Sequence, residues 1–221
     1  FDEVPAEKLT QRGVLNKRYV TTYGAAYWIR GEAEAATGTS VPAAEASVAT
    51  VVREFGRFDI LVCNAGITRD AMLWKLTEAA WDEVLAVNLK GSFAYCRAAA
   101  PVFRAQKSGR IVTIASINGL RGKAGQVAYA ASKAGVVALT KTVARELGPS
   151  GVTANCVAPG MVRTGMADRL PAEIRERAIA ETAVGRIAEP EDVAGMVAFL
   201  CSDRARHLTG TVITVDGGQY M

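Results

Sequence analysis

The fold of this chain is most constrained by a nearly continuous apolar run at residues 59–64, which reads DILVCN. A strand with one solvated face alternates apolar and polar residues, whereas a strand covered on both faces does not. The run therefore predicts a strand that is buried on both sides within a parallel sheet. A second run, RIVTIA at 110–115, is rich in β-branched residues and also has strand character.

Helical patterns separate these strand-like runs. From 42 to 55 the apolar residues recur at the spacing of one helix face, and Gly56 ends the pattern. Strands that alternate with helices are typical of an α/β protein with a doubly wound, Rossmann-like parallel sheet, and we expect a single domain over residues 1–221. The same patterns predict further helices at 77–104, up to 147, at 171–183 and at 190–202, and strands at 152–157 and Val212–Val215.

A hydroxyl, a phenol and an amine lie in the stretch that follows the second strand. Ser116 comes directly after residues 110–115, and Tyr129 and Lys133 lie four residues apart near the start of the next helix. That spacing places both side chains on one helix face, about one turn apart. An ammonium beside a phenol is expected to lower the pKa of the phenol from its usual value near 10. With Ser116 holding a carbonyl or alcohol oxygen, the trio predicts general acid–base chemistry on oxygen.

Polar or turn residues also follow two other predicted strands. Asn64 ends the first run, and Pro159-Gly160 comes after the strand at 152–157. In doubly wound sheets ligands bind beyond the carboxyl ends of the strands, so these residues and Ser116 are expected to share one site. Structural roles also fit them: Asn64 as a brace between strands, Ser116 as a local cap and Gly160 as a plain turn.

Composition argues against several other classes of function. The chain has 221 residues, 50% of them apolar, and a net charge of +4 with scattered basic residues, so nucleic-acid binding is not expected. No run of 18 apolar residues occurs, so no membrane association is expected. The four cysteines are widely spaced and the single histidine, His207, is expected at the surface, so no metal site is predicted. This cysteine usage fits a reducing, cytoplasmic setting.

Taken together, the motifs resemble those of the short-chain dehydrogenase/reductase family over residues 45–221. Longer matches at 66–70, 125–126, 129–135 and 216–221 are similar to the 3-oxoacyl-[acyl-carrier-protein] reductases and the acetoacetyl-coenzyme A reductases within it. The resemblance rests on these residues, in the family's order and at its approximate spacings: Asn64-Ala65-Gly66, Asn88, Ser116, Tyr129, Lys133, Pro159-Gly160 and Thr164.

The resemblance implies catalytic roles for four of these residues. Tyr129 would be the general acid in ketone reduction, and Lys133 would lower its pKa and hold the nicotinamide ribose. Ser116 would orient the substrate oxygen, and Asn88 would anchor a water that links Lys133 to solvent. The cofactor would be NADP, with NAD not excluded, and would carry the hydride. The residues implied to hold it are Asn64, Ala65, Gly66, Tyr129, Lys133, Pro159, Gly160, Val162 and Thr164. An ordinary polar helix residue at Asn88 and a helix cap at Thr164 are the structural alternatives.

The resemblance also implies a substrate and partners. The expected reaction is NAD(P)-dependent reduction of a 3-oxoacyl thioester, linked to acyl-carrier protein or coenzyme A, as in fatty acid biosynthesis. Carrier-protein docking in these reductases uses basic residues near the site; Lys107 and Arg110 are candidates, while Ser150 stands where a charge is expected. The family usually forms homotetramers through the helices that carry Asn88 and Tyr129. Small residues on these helices suit packing between subunits or within one.

One family feature is missing from the sequence. The family has a glycine-rich turn near its start that supplies backbone N–H groups to the pyrophosphate and precedes the residue that selects NAD or NADP. No such cluster of glycines occurs here, and Gly24 and Gly31 are isolated. Measured back from Asn64, the turn would fall before residue 1. The resemblance thus implies either missing residues or a divergent first βαβ unit.

Residues 1–42 are accordingly not matched to the family pattern. Residues 19–23 are strand-like, 32–36 favour a short helix, and 37–40 favour a loop.

Two other functions remain open at this stage. The chain fits a dehydrogenase of another secondary alcohol, because the loop at 161–185 that would contact substrate carries no pattern that identifies one. It also fits a non-catalytic scaffold that has lost the nucleotide-binding turn. The intact set of serine, tyrosine and lysine argues against the scaffold, because polar groups are costly to bury without a purpose.

Overall fold

The computed structural model describes residues 39–164 and 171–221, and the backbone of residues 19–22. Across these residues the sheet has five parallel strands, in the order in which the chain makes them. The parallel pairing brings the carboxyl ends of neighbouring strands to the same edge of the sheet. The strands are β1 (Tyr19–Thr22), β2 (Ile60–Cys63), β3 (Gly109–Ile114), β4 (Val152–Pro159) and β5 (Val212–Val215).

Helices connect the strands, and local signals in the sequence set their limits. Ser40 begins the first helix by accepting a hydrogen bond from the Ala43 amide (3.3 Å), and Gly56 ends it in the left-handed region with a φ of 74°. Thr77 caps the next helix through the Ala80 amide in the same way (3.2 Å). The helices of the described residues are α1 (Val41–Phe55), α2 (Glu78–Leu85), α3 (Gly91–Gln106), α4 (Asn118–Arg121), α5 (Val127–Leu147), α6 (Ala172–Ala180) and α7 (Pro190–Cys201).

Apolar side chains cover both faces of the sheet, as the strand sequences predicted. On β2, Leu61 packs into a cluster with α1, α3 and α5, whereas Ile60 and Val62 pack on the other face against α7. Ile111 and Val112 of β3 divide between the same two faces. Successive strand residues point to opposite faces, so an unbroken apolar run is what two covered faces require. The prediction of a doubly wound parallel α/β sheet is confirmed.

The structure corrects three predicted limits. The helix expected at 77–104 is interrupted by a π-helical turn at Ala86–Lys90 before α3 begins. The strand expected to end at 157 continues to Pro159, and the helix expected at 171–183 ends at Ala180. The short helix predicted at 32–36 lies outside the described residues, as does part of the loop at 37–40.

The small residues of α3 pack inside the chain. Ala94, Ala98 and Ala99 all belong to the core cluster between α1 and the sheet. On α5, by contrast, Ala134 and Ala138 are exposed. Of the two explanations that the sequence left open, burial within one subunit therefore accounts for the α3 residues.

Candidate active site

A cleft of about 290 Å³ lies at the carboxyl ends of β2, β3 and β4. The turns that follow these strands form its walls, and the start of α5 closes its inner side. It is thus located where ligands bind in doubly wound sheets. The cleft is lined by nine of the residues that the sequence predicted for a site: Asn64, Gly66, Ser116, Tyr129, Lys133, Pro159, Gly160, Val162 and Thr164. Ala65 lies between two of these on the chain, outside the lining set, and Asn88 lies behind the wall.

Ser116 and Tyr129 face each other across the cleft. Ser116 is buried directly after β3, and its Oγ accepts a hydrogen bond from the Asn118 amide (3.2 Å). That bond leaves the hydroxyl proton and a further lone pair for other partners. The Ser116 hydroxyl also lies near enough to the Tyr129 phenol to lower the pKa of the phenol. A substrate oxygen placed between the two hydroxyls would be within hydrogen-bonding reach of both.

Lys133 lies beneath the tyrosine and is almost fully buried. Its Nζ donates a hydrogen bond to the Ile114 carbonyl at the end of β3 (2.7 Å) and lies 5.7 Å from the centre of the Tyr129 ring. Burial lowers the pKa of the amine from its ordinary value of 10.5 to about 8. Lys133 is therefore mostly a cation at neutral pH, and it is held in a place from which water is largely excluded.

The structure contradicts the predicted direction of the Tyr129 pKa. Burial raises the pKa of the phenol above 10; the Ser116 hydroxyl opposes this effect, and the nearby Asp70 carboxylate adds to it. An ammonium one turn away favours the phenolate, but the loss of solvent around the phenol has the opposite and larger effect. The Lys133 charge is also partly engaged elsewhere, because its Nζ is bonded to the Ile114 backbone carbonyl. Tyr129 is therefore held in its protonated form at neutral pH.

Asn88 belongs to the π-helical turn and is completely buried. Its Oδ1 accepts from the Ile67 amide (2.8 Å), and its Nδ2 donates to the Ile67 carbonyl (3.0 Å) and to Ser132 Oγ (2.9 Å). Ser132 in turn donates to the Tyr129 carbonyl (2.7 Å). Asn88 thus ties the loop after β2 to the helix that carries Tyr129 and Lys133. π-Helical turns are often found at functional sites.

Glycines let the backbone approach the side chains on both walls of the cleft. A Cβ on Gly66 would lie 3.2 Å from Lys133 Nζ, and one on Gly160 would lie 2.6 Å from the Gln219 side chain. These walls, with an amine and a phenol between them, fit the nicotinamide and ribose end of a dinucleotide. The glycine-rich turn that would hold the pyrophosphate is not found among the described residues.

Several lining residues were not predicted for the site. Gln126 and Gln219 belong to the motifs at 125–126 and 216–221 that resemble those of the reductases. These motifs could have pointed to both residues, but neither was predicted to line the site. Asn118 follows Ser116 closely, and its side chain bonds Gln126 (3.0 Å). The cleft residues that sequence reasoning missed are Thr68, Ile114, Ala115, Ile117, Asn118, Arg121, Lys123, Gln126, Met161 and Gln219.

In the described part of the chain, no cluster of three or more histidine, cysteine, aspartate or glutamate side chains is arranged to hold a metal ion. No helix there combines the length and the apolar character needed to cross a bilayer.

A doubly wound sheet with a polar cleft at its strand ends is the architecture of many nucleotide-binding α/β proteins, and comparison with known families identifies the class. A family model described as Enoyl-(Acyl carrier protein) reductase matches residues 37–219. The chain belongs to the short-chain dehydrogenase/reductase family, as its motifs predicted.

Within that family, the chain is similar to proteins named 3-oxoacyl-[acyl-carrier-protein] reductase FabG. The protein of that name from Thermotoga maritima is 47% identical over 171 residues, covering 77% of this chain and 70% of the relative. The Staphylococcus aureus protein is 45% identical over 177 residues, covering 80% and 72%. The Vibrio cholerae protein is 41% identical over 191 residues, covering 86% and 78%.

Proposed function

We propose that this chain is an NADP(H)-dependent reductase that converts a 3-oxoacyl thioester to its 3-hydroxyacyl form. The names of its relatives support the substrate class, and the family relation supports a nicotinamide cofactor. The observation that carries the proposal is that the Ser116 and Tyr129 hydroxyl side chains line one cleft above a buried cationic Lys133. When bound, the nicotinamide supplies the hydride.

The three side chains divide the work on the substrate oxygen. Ser116 donates a hydrogen bond to the ketone oxygen and holds it beside the phenol. Tyr129 transfers its proton to that oxygen as negative charge develops there, because an alkoxide is a much stronger base than a phenolate. The raised pKa of Tyr129 keeps this proton in place until the substrate needs it. Lys133 then stabilises the phenolate that remains.

The other predicted residues take supporting roles in the proposal. Asn64, Ala65 and Gly66 would lie beside the nicotinamide ribose, and Lys133 would bond its hydroxyls. The backbone near Val162 would bond the carboxamide, with Pro159, Gly160 and Thr164 beside it. Asn88 supports the loop after β2 and would anchor the water that returns protons to Lys133.

The name of the matched family model raises the question of enoyl reduction. In a 3-oxo substrate the proton goes to an oxygen that two hydroxyl groups can hold, whereas reduction of a carbon–carbon double bond delivers a proton to carbon. The paired hydroxyls of Ser116 and Tyr129 favour the reduction of a ketone.

The test is a panel of substrates, with each reaction monitored by the absorbance of the reduced nicotinamide. Acetoacetyl-coenzyme A and acetoacetyl-carrier protein are each mixed with NADPH or NADH, beside crotonyl-coenzyme A and a cyclic ketone. We expect rapid loss of NADPH with the two 3-oxoacyl thioesters only. Preferred turnover of the cyclic ketone would instead identify a dehydrogenase of another secondary alcohol. An absence of binding to either cofactor by calorimetry would favour the non-catalytic scaffold.

A further inference from the structure

The turn after β5 packs against the floor of the cleft. Asp216 is buried and shapes this turn: its Oδ1 accepts from the Gly218 amide (3.2 Å) and its Oδ2 from the Tyr220 amide (2.8 Å). Gly217 and Gly218 both adopt left-handed φ values, of 61° and 78°. The resulting backbone directs the side chain of the next residue, Gln219, into the cleft lining.

The Gln219 carboxamide bridges two parts of the cleft wall. Its Oε1 accepts a hydrogen bond from the Met161 amide (3.1 Å), and its Nε2 donates one to Glu181 Oε2 (3.1 Å). Its backbone carbonyl accepts from Arg121 Nη1 (3.2 Å), and the other Arg121 nitrogen pairs with Glu181 (3.3 Å). One glutamine therefore connects the segment after β4, the end of α4 and the residue just beyond α6.

The segment after β4 lies in direct contact with this carboxamide. A Cβ on Gly160 would lie 2.6 Å from Gln219 Oε1, so the carboxamide lies directly against the Gly160 backbone. The Met161 carbonyl accepts from the Ala188 amide (3.0 Å), which fixes the other side of the same residue. Of the two Met161 backbone groups, the amide is the one that relies on a side chain.

We propose that Gln219 is a positioning residue, which holds the Gly160–Val162 backbone in the conformation that receives the nicotinamide carboxamide. This inference rests on the proposed function for its effect on cofactor binding. Arg121 and Glu181 hold the glutamine from the opposite side. The pKa of the Glu181 carboxyl lies below its ordinary value, chiefly because of the hydrogen bond from Gln219 and also because of Arg121.

Two substitutions separate the acceptor and donor functions of the carboxamide. Gln219→Leu removes both. Gln219→Glu keeps an acceptor for the Met161 amide but loses the donor to Glu181. Gln106→Leu is the matched control, because the Gln106 carboxamide also bridges backbone groups, at the Phe58 amide (2.9 Å) and carbonyl (2.6 Å), outside the cleft.

The experiment measures hydrogen exchange of the Met161 amide by NMR, and NADPH binding and steady-state kinetics on the same samples. We expect Gln219→Leu to speed exchange at Met161 at least about tenfold and to raise the Kd and KM for NADPH about 5- to 10-fold, the size expected for one lost hydrogen bond. The KM for the ketone should change less than about twofold. Gln219→Glu should restore the Met161 protection and the NADPH KM only in part, because its carboxylate still accepts from the Met161 amide but is repelled by Glu181.

The control variant and the results that would overturn the inference have different signatures. Gln106→Leu should lower stability and speed exchange near Phe58, with the KM for NADPH unchanged. Wild-type exchange at Met161 in Gln219→Leu would overturn the inference, and so would a fall in kcat with an unchanged KM for NADPH. If the wild type binds no NADPH, the proposed function fails and the cofactor role of Gln219 fails with it. Faster Met161 exchange in Gln219→Leu would then still support its hold on the backbone.

Discussion

Lys133 carries the charge on which the proposed chemistry depends, and its burial destabilises the folded state. The buried amine has a pKa of about 8, below its ordinary 10.5, so folding disfavours its proton. A folded-state pKa that lies below the unfolded one destabilises the protein at low pH, and the penalty disappears as pH rises between the two values. At neutral pH this penalty is about 3 kcal/mol.

This penalty predicts a pH dependence of stability. Lys133→Met removes the charge, so the free energy of unfolding of the wild type minus that of the variant should rise by about 2 kcal/mol between pH 7.5 and 10. Urea denaturation across that range measures the difference. The buried cysteines have raised pKa values and therefore destabilise both proteins at alkaline pH. Subtracting the variant from the wild type removes most of this shared contribution. A difference that stays constant with pH would contradict the assignment.

Single residues also show where sequence reasoning succeeds. A serine at the end of an apolar run and a tyrosine four residues before a lysine predicted which side chains would meet in the cleft, because strand ends and helix faces follow from spacing. The predicted direction of the Tyr129 pKa shift was wrong, because the shift depends chiefly on how much solvent the fold removes from the phenol. The Lys133 hydrogen bond to the Ile114 carbonyl was equally hidden, since side-chain to backbone contacts across 19 residues leave no periodic signal.

Among the elements, the π-helical turn between α2 and α3 is the one that spacing did not predict. Apolar residues continue along one face through residues 77–104, so the sequence pattern favours an unbroken helix. In the structure the helix changes to a π-helical turn at Ala86–Lys90, and Asn88 within that turn is buried. The turn directs its amide group at the Ile67 backbone and at Ser132. An interruption that places one polar group is consistent with a role in the site.

Substitution of Asn88 tests that role against a matched residue. Asn155 on β4 is also buried and bonds two backbone groups, at Leu208 and Thr211, outside the cleft. Asn88→Ala and Asn155→Ala should each lower the free energy of unfolding by about 1–3 kcal/mol, because their partners lose hydrogen bonds in the interior. Only Asn88→Ala should also reduce kcat. Equal activity of the two variants in steady-state assays would show that Asn88 is purely structural.

The packing of α4 on α5 gives a second prediction for the elements. A Cβ on Gly119 of α4 would lie 2.8 Å from the Cβ of Lys133 and 2.9 Å from the α5 backbone, whereas one on Gly195 of α7 would meet nothing within 4 Å. Gly119→Ala should therefore destabilise the protein by about 1–3 kcal/mol. Gly195→Ala should stabilise it by up to about 1 kcal/mol, because alanine favours helix. Thermal unfolding measures both stability changes. Changes of the same sign in the two variants would contradict the close packing of α4 on α5.

In the molecule as a whole, the parallel sheet brings together residues that are far apart in sequence. Asn64, Ser116 and Gly160 meet because each follows a strand and all the strands run in one direction. That convergence could be predicted from hydrophobic patterning alone. The contribution of Gln219 could not, because it depends on the path of a turn after the last strand. Residues 1–36 carried only weak periodic signals, and the match to the family model begins at residue 37.

Ligand binding should stabilise the assembled molecule. NADPH at 100 times its Kd should raise the free energy of unfolding by about 2.7 kcal/mol, and NADH at the same concentration should raise it less. Gly160→Ala should weaken the response, because its Cβ would collide with Gln219. Thermal unfolding with each nucleotide is the measurement. An equal response to NADPH and NADH would contradict the proposed preference for NADP(H).

In the proposed reaction Tyr129 delivers its proton to the substrate oxygen, and single-turnover kinetics measure the step that needs this proton. NADPH-saturated enzyme is mixed with acetoacetyl-coenzyme A, and the decay of nicotinamide absorbance gives the rate constant for reduction. Tyr95→Phe serves as the control, because Tyr95 is also buried but lies on α3 in the core. We predict that Tyr129→Phe slows reduction about 10²- to 10⁴-fold while remaining folded, and that Tyr95→Phe changes it less than about twofold. A folded Tyr129→Phe variant that keeps more than about a tenth of the wild-type rate constant would contradict the role of Tyr129 as the proton donor.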